Sequence, residues 1–208
     1  ADDVRVAIVG LHGRGKYHLT DMMKVDYCRV VALCDVDQRD LDKFSKVAED
    51  GGYKVKTYTD YRKLCEDKEV DAIMIATPNH THTLIALTAI QHGKHVYVEK
   101  PVSHNIKEGR LLAEAAAKRP NLIVTHGMQR RSDLVWEEAF AWLKEGQLGP
   151  VKLSRGLNYK TRESIGKVAE PSKVSKRLDY NLWCGPRPML PVQRRLLHYD
   201  WHWIWEFG

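Results

Sequence analysis

Val4-Arg5-Val6-Ala7-Ile8-Val9-Gly10-Leu11-His12-Gly13-Arg14-Gly15 passes from a nearly unbroken apolar run into three glycines within six residues. An apolar run without polar alternation is the pattern of a strand covered on both faces of a sheet. The residues that follow, with Tyr17, Leu19, Met22 and Met23 as apolar members, read as a helix. Glycines between a strand and a helix let the backbone turn sharply and approach a pyrophosphate. The helix N-terminus then offers N–H groups and a partial positive charge. The dinucleotide fingerprint places glycine at the first, third and sixth positions of such a turn. Here the third position is His12, and an additional glycine stands at 13. A tight strand-to-helix turn without a ligand is the competing reading of the same residues.

Working outward, a second strand over Arg29–Cys34 ends on Asp35. An acid at this distance from the Gly-rich turn accepts hydrogen bonds from an adenosine ribose and repels a 2′-phosphate, which favours NAD over NADP. Arg39 is near enough in sequence to soften that preference, and an Asp capping the next helix is the structural alternative. Further strands are expected over Lys54–Tyr58, Val70–Ala76, His95–Val98 and Leu122–Thr125, with helices between them. Six strands alternating with helices make an α/β, doubly wound parallel sheet. Asn105 and Glu108 have capping-box spacing at the start of the fifth helix.

Several of these strands end in a change of character. The fourth runs into Thr77-Pro78-Asn79-His80-Thr81-His82, and the fifth into Glu99-Lys100-Pro101. Ligands of open parallel sheets bind outside the carboxyl ends of the strands. A Lys there can transfer protons; a solvated Lys at a strand end is the plainer alternative. His80 and His82 lack a neighbouring thiol or carboxylate, and Cys28, Cys34, Cys65 and Cys184 show no CxxC spacing, so no metal site is expected.

From Ser132 the pattern shifts. Trp136, Phe140 and Leu143 give Ser132–Glu145 an aromatic stripe at helical spacing. Val151–Asn158 reads as a strand of a new sheet, and Lys160–Lys176 as a basic surface excursion. Trp201, Trp203 and Trp205 alternate as on one face of a strand, either lining a carbohydrate site or forming a core or oligomer interface. The division is therefore residues 1–127 for a nucleotide-binding part and 128–208 for the beginning of an α+β part with an open, mostly antiparallel sheet. The chain is 43% hydrophobic and 29% charged, ordinary for a globular protein. Its net charge of +6 is dispersed and not interleaved with aromatics, so nucleic acid is not an expected partner. No apolar run has membrane-spanning length.

The stretches VAIVGLHGRGKYH (Val6–His18), CDVD (Cys34–Asp37), IATPNHTH (Ile75–His82) and HVYVEKPVSHN (His95–Asn105) together resemble the Gfo/Idh/MocA oxidoreductases. The YNLWCGP stretch (Tyr180–Pro186) and the Trp-rich tail resemble a bacterial subgroup that is often exported by the twin-arginine route. The resemblance implies that Gly10, Leu11, His12, Gly13, Arg14 and Gly15 hold the pyrophosphate of NAD, and that Asp35 holds the adenosine ribose. It implies that Thr77, Asn79 and His82 line the nicotinamide side, that Glu99 reaches the second ribose, and that Gln129 and Arg131 lie near cofactor or substrate. Lys100 would be the catalytic lysine facing a substrate hydroxyl, with a Lys100–Pro101 peptide that is often cis.

The same resemblance implies a sugar or polyol substrate, self-association through the C-terminal sheet, and a substrate domain continuing beyond Gly208 with an Asp and a His that complete proton transfer. Hydride transfer at a secondary hydroxyl is the leading activity. Glycoside cleavage through transient sugar oxidation, and a non-catalytic NAD(P)-binding sensor, are the alternatives.

Overall fold

A computed structural model describes residues 3–208. The chain runs β1 (Val4–Val9), α1 (Gly15–Met22), β2 (Cys28–Cys34), α2 (Gln38–Asp50), β3 (Lys56–Tyr58), α3 (Tyr61–Glu66), β4 (Ala72–Ile75), α4 (Asn79–Gln91), β5 (His95–Val98), α5 (Ile106–Ala117) and β6 (Val124–His126). The strands form one parallel sheet in the order β3-β2-β1-β4-β5-β6. The chain therefore winds outward from β1 in one direction and then from β4 in the other. That reversal opens a crevice between the carboxyl ends of β1 and β4.

Alternate residues of the central strands feed two cores. Ile8, Leu33 and Met74 pack with Leu19, Leu41 and Phe44 of α1 and α2 on one face. Val9, Ile73, Ile75 and Val98 pack with Leu64, Ile85, Ile90 and Leu112 of α3, α4 and α5 on the other. Covering both faces explains why the strands are apolar throughout. The capping spacing at α5 holds: the Glu108 N–H donates to Asn105 Oδ1 at 3.0 Å, while a Glu108 carboxylate oxygen accepts from the His104 N–H.

Beyond β6 the expectations are met only in part. A 3₁₀ turn (Gln129–Arg131) leads to α6 (Leu134–Lys144), so the expected helix exists. Its Trp136, Phe140 and Leu143 stripe is nevertheless exposed, because periodicity marks the face to be covered without supplying a cover. Val151–Asn158 forms no strand: no second segment pairs with it among the described residues, and a lone strand leaves its N–H and C=O groups unmatched. The Trp-rich tail is not a strand either. It folds as α8 (Leu197–Asp200) and a 3₁₀ turn (Trp201–Trp203), preceded by α7 (Tyr180–Cys184).

These last elements build a third core from Leu178, Tyr180, Trp183, Val192, Trp201 and Phe207. The unit docks back on the half that carries the parallel sheet. Leu178 makes an antiparallel bridge with Asp37, and the Asp179 N–H donates to the Val36 carbonyl at 2.9 Å. Arg187 reaches His104 and Glu108, and His80 Nε2 lies 2.8 Å from the Trp183 carbonyl. No helix among the described residues is long and apolar enough to cross a membrane.

Burial pushes the His80 imidazole down to about 4, against the pull of the Trp183 carbonyl. Between that value and the ordinary 6.5 of an unfolded His, the unfolded chain binds a proton that native His80 does not. Stability therefore rises with pH across that window and is lost on acidification. Melting temperatures measured from pH 7 down to pH 4.5 should fall less steeply for His80→Gln than for the wild type. Parallel profiles would show that His80 is not the linked group.

Candidate functional site

The carboxyl ends of β1, β2, β4 and β5 open into one cleft of about 450 Å³. Gly10, Leu11, His12, Gly13, Arg14, Asp35, Thr77, Asn79, His82, Glu99, Lys100 and Gln129 all line it. Residues separated by up to 119 positions are thus gathered at one mouth, which the strand order accomplishes. Gly15 and Arg131 are not among the lining residues.

The first turn is shaped by backbone proximity. Gly10 has φ +85°, and a Cβ there would sit 2.8 Å from the Thr77 nitrogen. A Cβ at Gly15 would sit 1.7 Å from the Gly10 carbonyl oxygen. Gly15 therefore packs α1 against the turn instead of facing the cleft. Gly13 is different, since a Cβ there would meet nothing within 4 Å. The space in front of Gly13 is open to a ligand.

Within the nucleotide-binding half, α2, α3 and α5 each have an Asp or Asn side chain on their first N–H groups. Helices α1 and α4, which start at the cleft, have no side-chain cap and no acid in the first turn. Their leading N–H groups and positive dipole ends remain available to an anion. Arg14 adds a cationic side chain at the same mouth.

Asp35 is buried, and each carboxylate oxygen accepts one backbone N–H: Leu11 at 2.7 Å and Asp37 at 3.0 Å. It thereby ties the Gly-rich turn to the end of β2 and retains further lone pairs for a ribose. Burial raises its pKa to about 6, against those two N–H bonds and with help from the Asp40 charge. Arg39 lies beside the end of β2 and pairs with Asp37. Its Nε is 2.9 Å from Asp37 Oδ1. Burial alone would raise the Asp37 pKa, but Arg39 and His198 outweigh it and hold the carboxylate ionised.

Two expected ligand-facing residues turn inward. The His82 ring lies with Nδ1 2.7 Å from the Pro101 carbonyl and Nε2 2.7 Å from the Thr77 carbonyl, bracing the two turns on either side of the cleft. Burial lowers its pKa, and the two carbonyls oppose that shift. Glu99 accepts from Arg14 Nε at 3.1 Å and lies 2.9 Å from His18 Nε2, so it anchors the end of β5 to α1. Arg14 is 44% exposed, so this ion pair stabilises by at most about 1 kcal/mol and serves mainly to orient. The Lys100–Pro101 peptide is cis, as the resemblance implies. The Lys100 side chain is exposed, and its ammonium makes no hydrogen bond or ion pair among the described residues.

The opposite wall comes from the C-terminal unit: Trp183, His198, Tyr199, Trp201 and His202. The tryptophan spacing pointed to a face for ligand or interface. His198 carried no local signal, and only the return of the chain brings its Nε2 to 3.0 Å from Asp37.

Residues 4–127 match the oxidoreductase family with an NAD-binding Rossmann fold. The chain belongs to this family. NAD is the cofactor of that fold. Among relatives, an inositol 2-dehydrogenase of Salmonella paratyphi B is 29% identical over 86% of this chain and 52% of its own. An alpha-N-acetylgalactosaminidase of Bacteroides fragilis is 32% identical over 55% of this chain and 28% of its own. A scyllo-inositol dehydrogenase of Lactobacillus casei, solved with NAD(H) and scyllo-inositol, superposes with a TM-score of 0.66 at 27% identity, over 71% of this chain and 43% of that one. The chain spans about half or less of the length of these relatives.

The two glycines separate folding from binding. Gly15→Ala should destabilise the free protein by about 1–3 kcal/mol, because backbone must move to admit the new Cβ. Gly13→Ala should leave thermal stability within about 0.5 kcal/mol of wild type while weakening NAD binding measured by calorimetry. Equal NAD affinity in Gly13→Ala and wild type would place the pyrophosphate elsewhere.

Proposed function

We propose that the protein is an NAD-dependent oxidoreductase that moves a hydride between the cofactor and a secondary hydroxyl of a sugar, polyol or sugar derivative. The observation that carries this reading is the unpaired Lys100 side chain, opening into the same cleft as Gly13 and the two uncapped helix ends. The site fits NAD: there is empty space in front of Gly13, N–H donors at α1 and α4, and a buried carboxylate at Asp35. Gly10, Leu11, His12, Gly13 and Arg14 would cradle the pyrophosphate and Asp35 the adenosine ribose. Thr77, Asn79 and Gln129 would flank the nicotinamide side. His82 and Glu99 would position these groups through the backbone and Arg14. Asp35, with Arg39 occupied, favours NAD over NADP.

NAD held by these residues would supply the hydride acceptor for the carbinol carbon. Lys100 Nζ, in its neutral amine form, would take the hydroxyl proton, and in the reverse direction the resulting ammonium would return it to the carbonyl oxygen. The division at residue 127 goes with this reading, since the parallel sheet ends at His126. Self-association through the C-terminal part also goes with it, supported by the exposed stripe on α6.

Lys100→Ala should lower turnover by about 10²–10⁴-fold, with the dissociation constant for NAD within about threefold of wild type. The assay is reduced-nicotinamide absorbance with a panel of inositols and sugars. Unchanged turnover on any oxidised substrate would remove Lys100 from the chemistry. The galactosaminidase relative supports a second reading, NAD-dependent glycoside cleavage. Release of nitrophenol from an aryl glycoside without accumulation of NADH would select it.

A further inference from the structure

We propose that His12, Asp40 and His198 form a binding site for a divalent transition-metal ion of the zinc class at the rim of the cleft. The three come from three separate segments: the Gly-rich turn, the first turn of α2, and α8. One donor atom from each lies within 4.8 Å of the others. His12 Nδ1 is 3.1 Å from Asp40 Oδ2, and the two imidazole rings face each other with centroids 4.8 Å apart. Two imidazoles and a carboxylate are the donor set that zinc-class ions take, with a coordination position left open.

Two further observations favour a cation here. Asp35, Asp37 and Asp40 crowd three carboxylates into one turn, each less than a tenth exposed, and among the described residues the only Arg bonded to any of them is Arg39 on Asp37. Asp37 also stands behind His198, 3.0 Å from Nε2, leaving Nδ1 without a hydrogen-bond partner among the described residues. A carboxylate behind an imidazole, fixing the ring and raising its basicity, is the arrangement that orients metal-binding histidines. Zinc–nitrogen and zinc–oxygen bonds of about 2.0–2.2 Å require the donors to draw closer. The His12 side chain, 55% exposed on its loop, has room to turn. An ion held there would tie the Gly-rich turn to the C-terminal unit. Magnesium, which prefers an all-oxygen octahedral shell, suits this set poorly.

The test uses the full chain, freed of metal by dialysis, titrated with Zn²⁺ alone in competition with a chromogenic chelator. It contains no cofactor, so its outcome is separate from that of the oxidoreductase reading. Wild type should bind one Zn²⁺ per chain, and Mg²⁺ at the same concentration should not register. His12→Ala and His198→Ala should each lose about tenfold or more in affinity, while His92→Ala, an exposed histidine outside the cluster, should bind as wild type. No bound Zn²⁺ in wild type, wild-type affinity in His12→Ala, or an equal loss in His92→Ala would overturn the proposal. If His198→Ala fails to fold by circular dichroism, His12→Ala decides alone, because its side chain lies on an open loop.

Discussion

The Gly10 carbonyl occupies the space where residue 15 would carry a side chain, and Gly10 itself lies against the Thr77 nitrogen. At this point β1, α1 and the turn after β4 touch through backbone alone. The sheet reverses its winding between β1 and β4, so these are the strands whose ends must diverge to form a crevice. Close backbone approach brings the N-termini of α1 and α4 to the same mouth. Both lack a side-chain cap, whereas their neighbours in this half are capped. Packing and ligand chemistry thus share one constraint, the absence of Cβ atoms at positions 10 and 15.

A second layer of organisation runs through buried carboxylates. Asp35 holds the Leu11 N–H and so stitches the Gly-rich turn to β2, while Asp37 holds Arg39, His198 and the start of α2. Burial acts in opposite senses on the two acids. Asp35 is held by the Leu11 and Asp37 backbone N–H groups and is pushed up by burial; Asp37 has a guanidinium and an imidazole and is pulled down. The C-terminal unit joins the cleft through this second acid, through the Leu178 bridge and through His80. It supplies a wall to a site whose floor is built entirely from the first 101 residues and Gln129.

Most of the nucleotide-binding half was legible because it rests on local rules. Apolar runs marked all six strands to within about two residues, and Asn105 marked the start of α5. The residues at the strand ends, from Gly10 to Lys100, do converge on one cleft. The partners of the polar side chains were less legible. His82 and Glu99 have the right position, but their polar atoms turn to Pro101, Thr77, Arg14 and His18. Arg39 near the end of β2 pairs with Asp37, two residues earlier. Alternating tryptophans suggested a strand, and the segment folded as short helical turns around its own aromatic core.

The sequence by itself determined the parallel α/β sheet, the Gly-rich turn, the acid at the end of β2 and the lysine at the end of β5. Each depends on the spacing of apolar, glycine and charged residues within a few turns of chain. Only the tertiary structure decided which faces of those residues meet the cleft. It alone revealed that Gly15 packs rather than lines, that Glu99 orients Arg14, and that His12, Asp40 and His198 stand together. Those outcomes depend on the order of strands and the return of the chain from residue 178 onward. Neighbours drawn from positions 12, 40 and 198 have no common period or spacing that a linear reading can register.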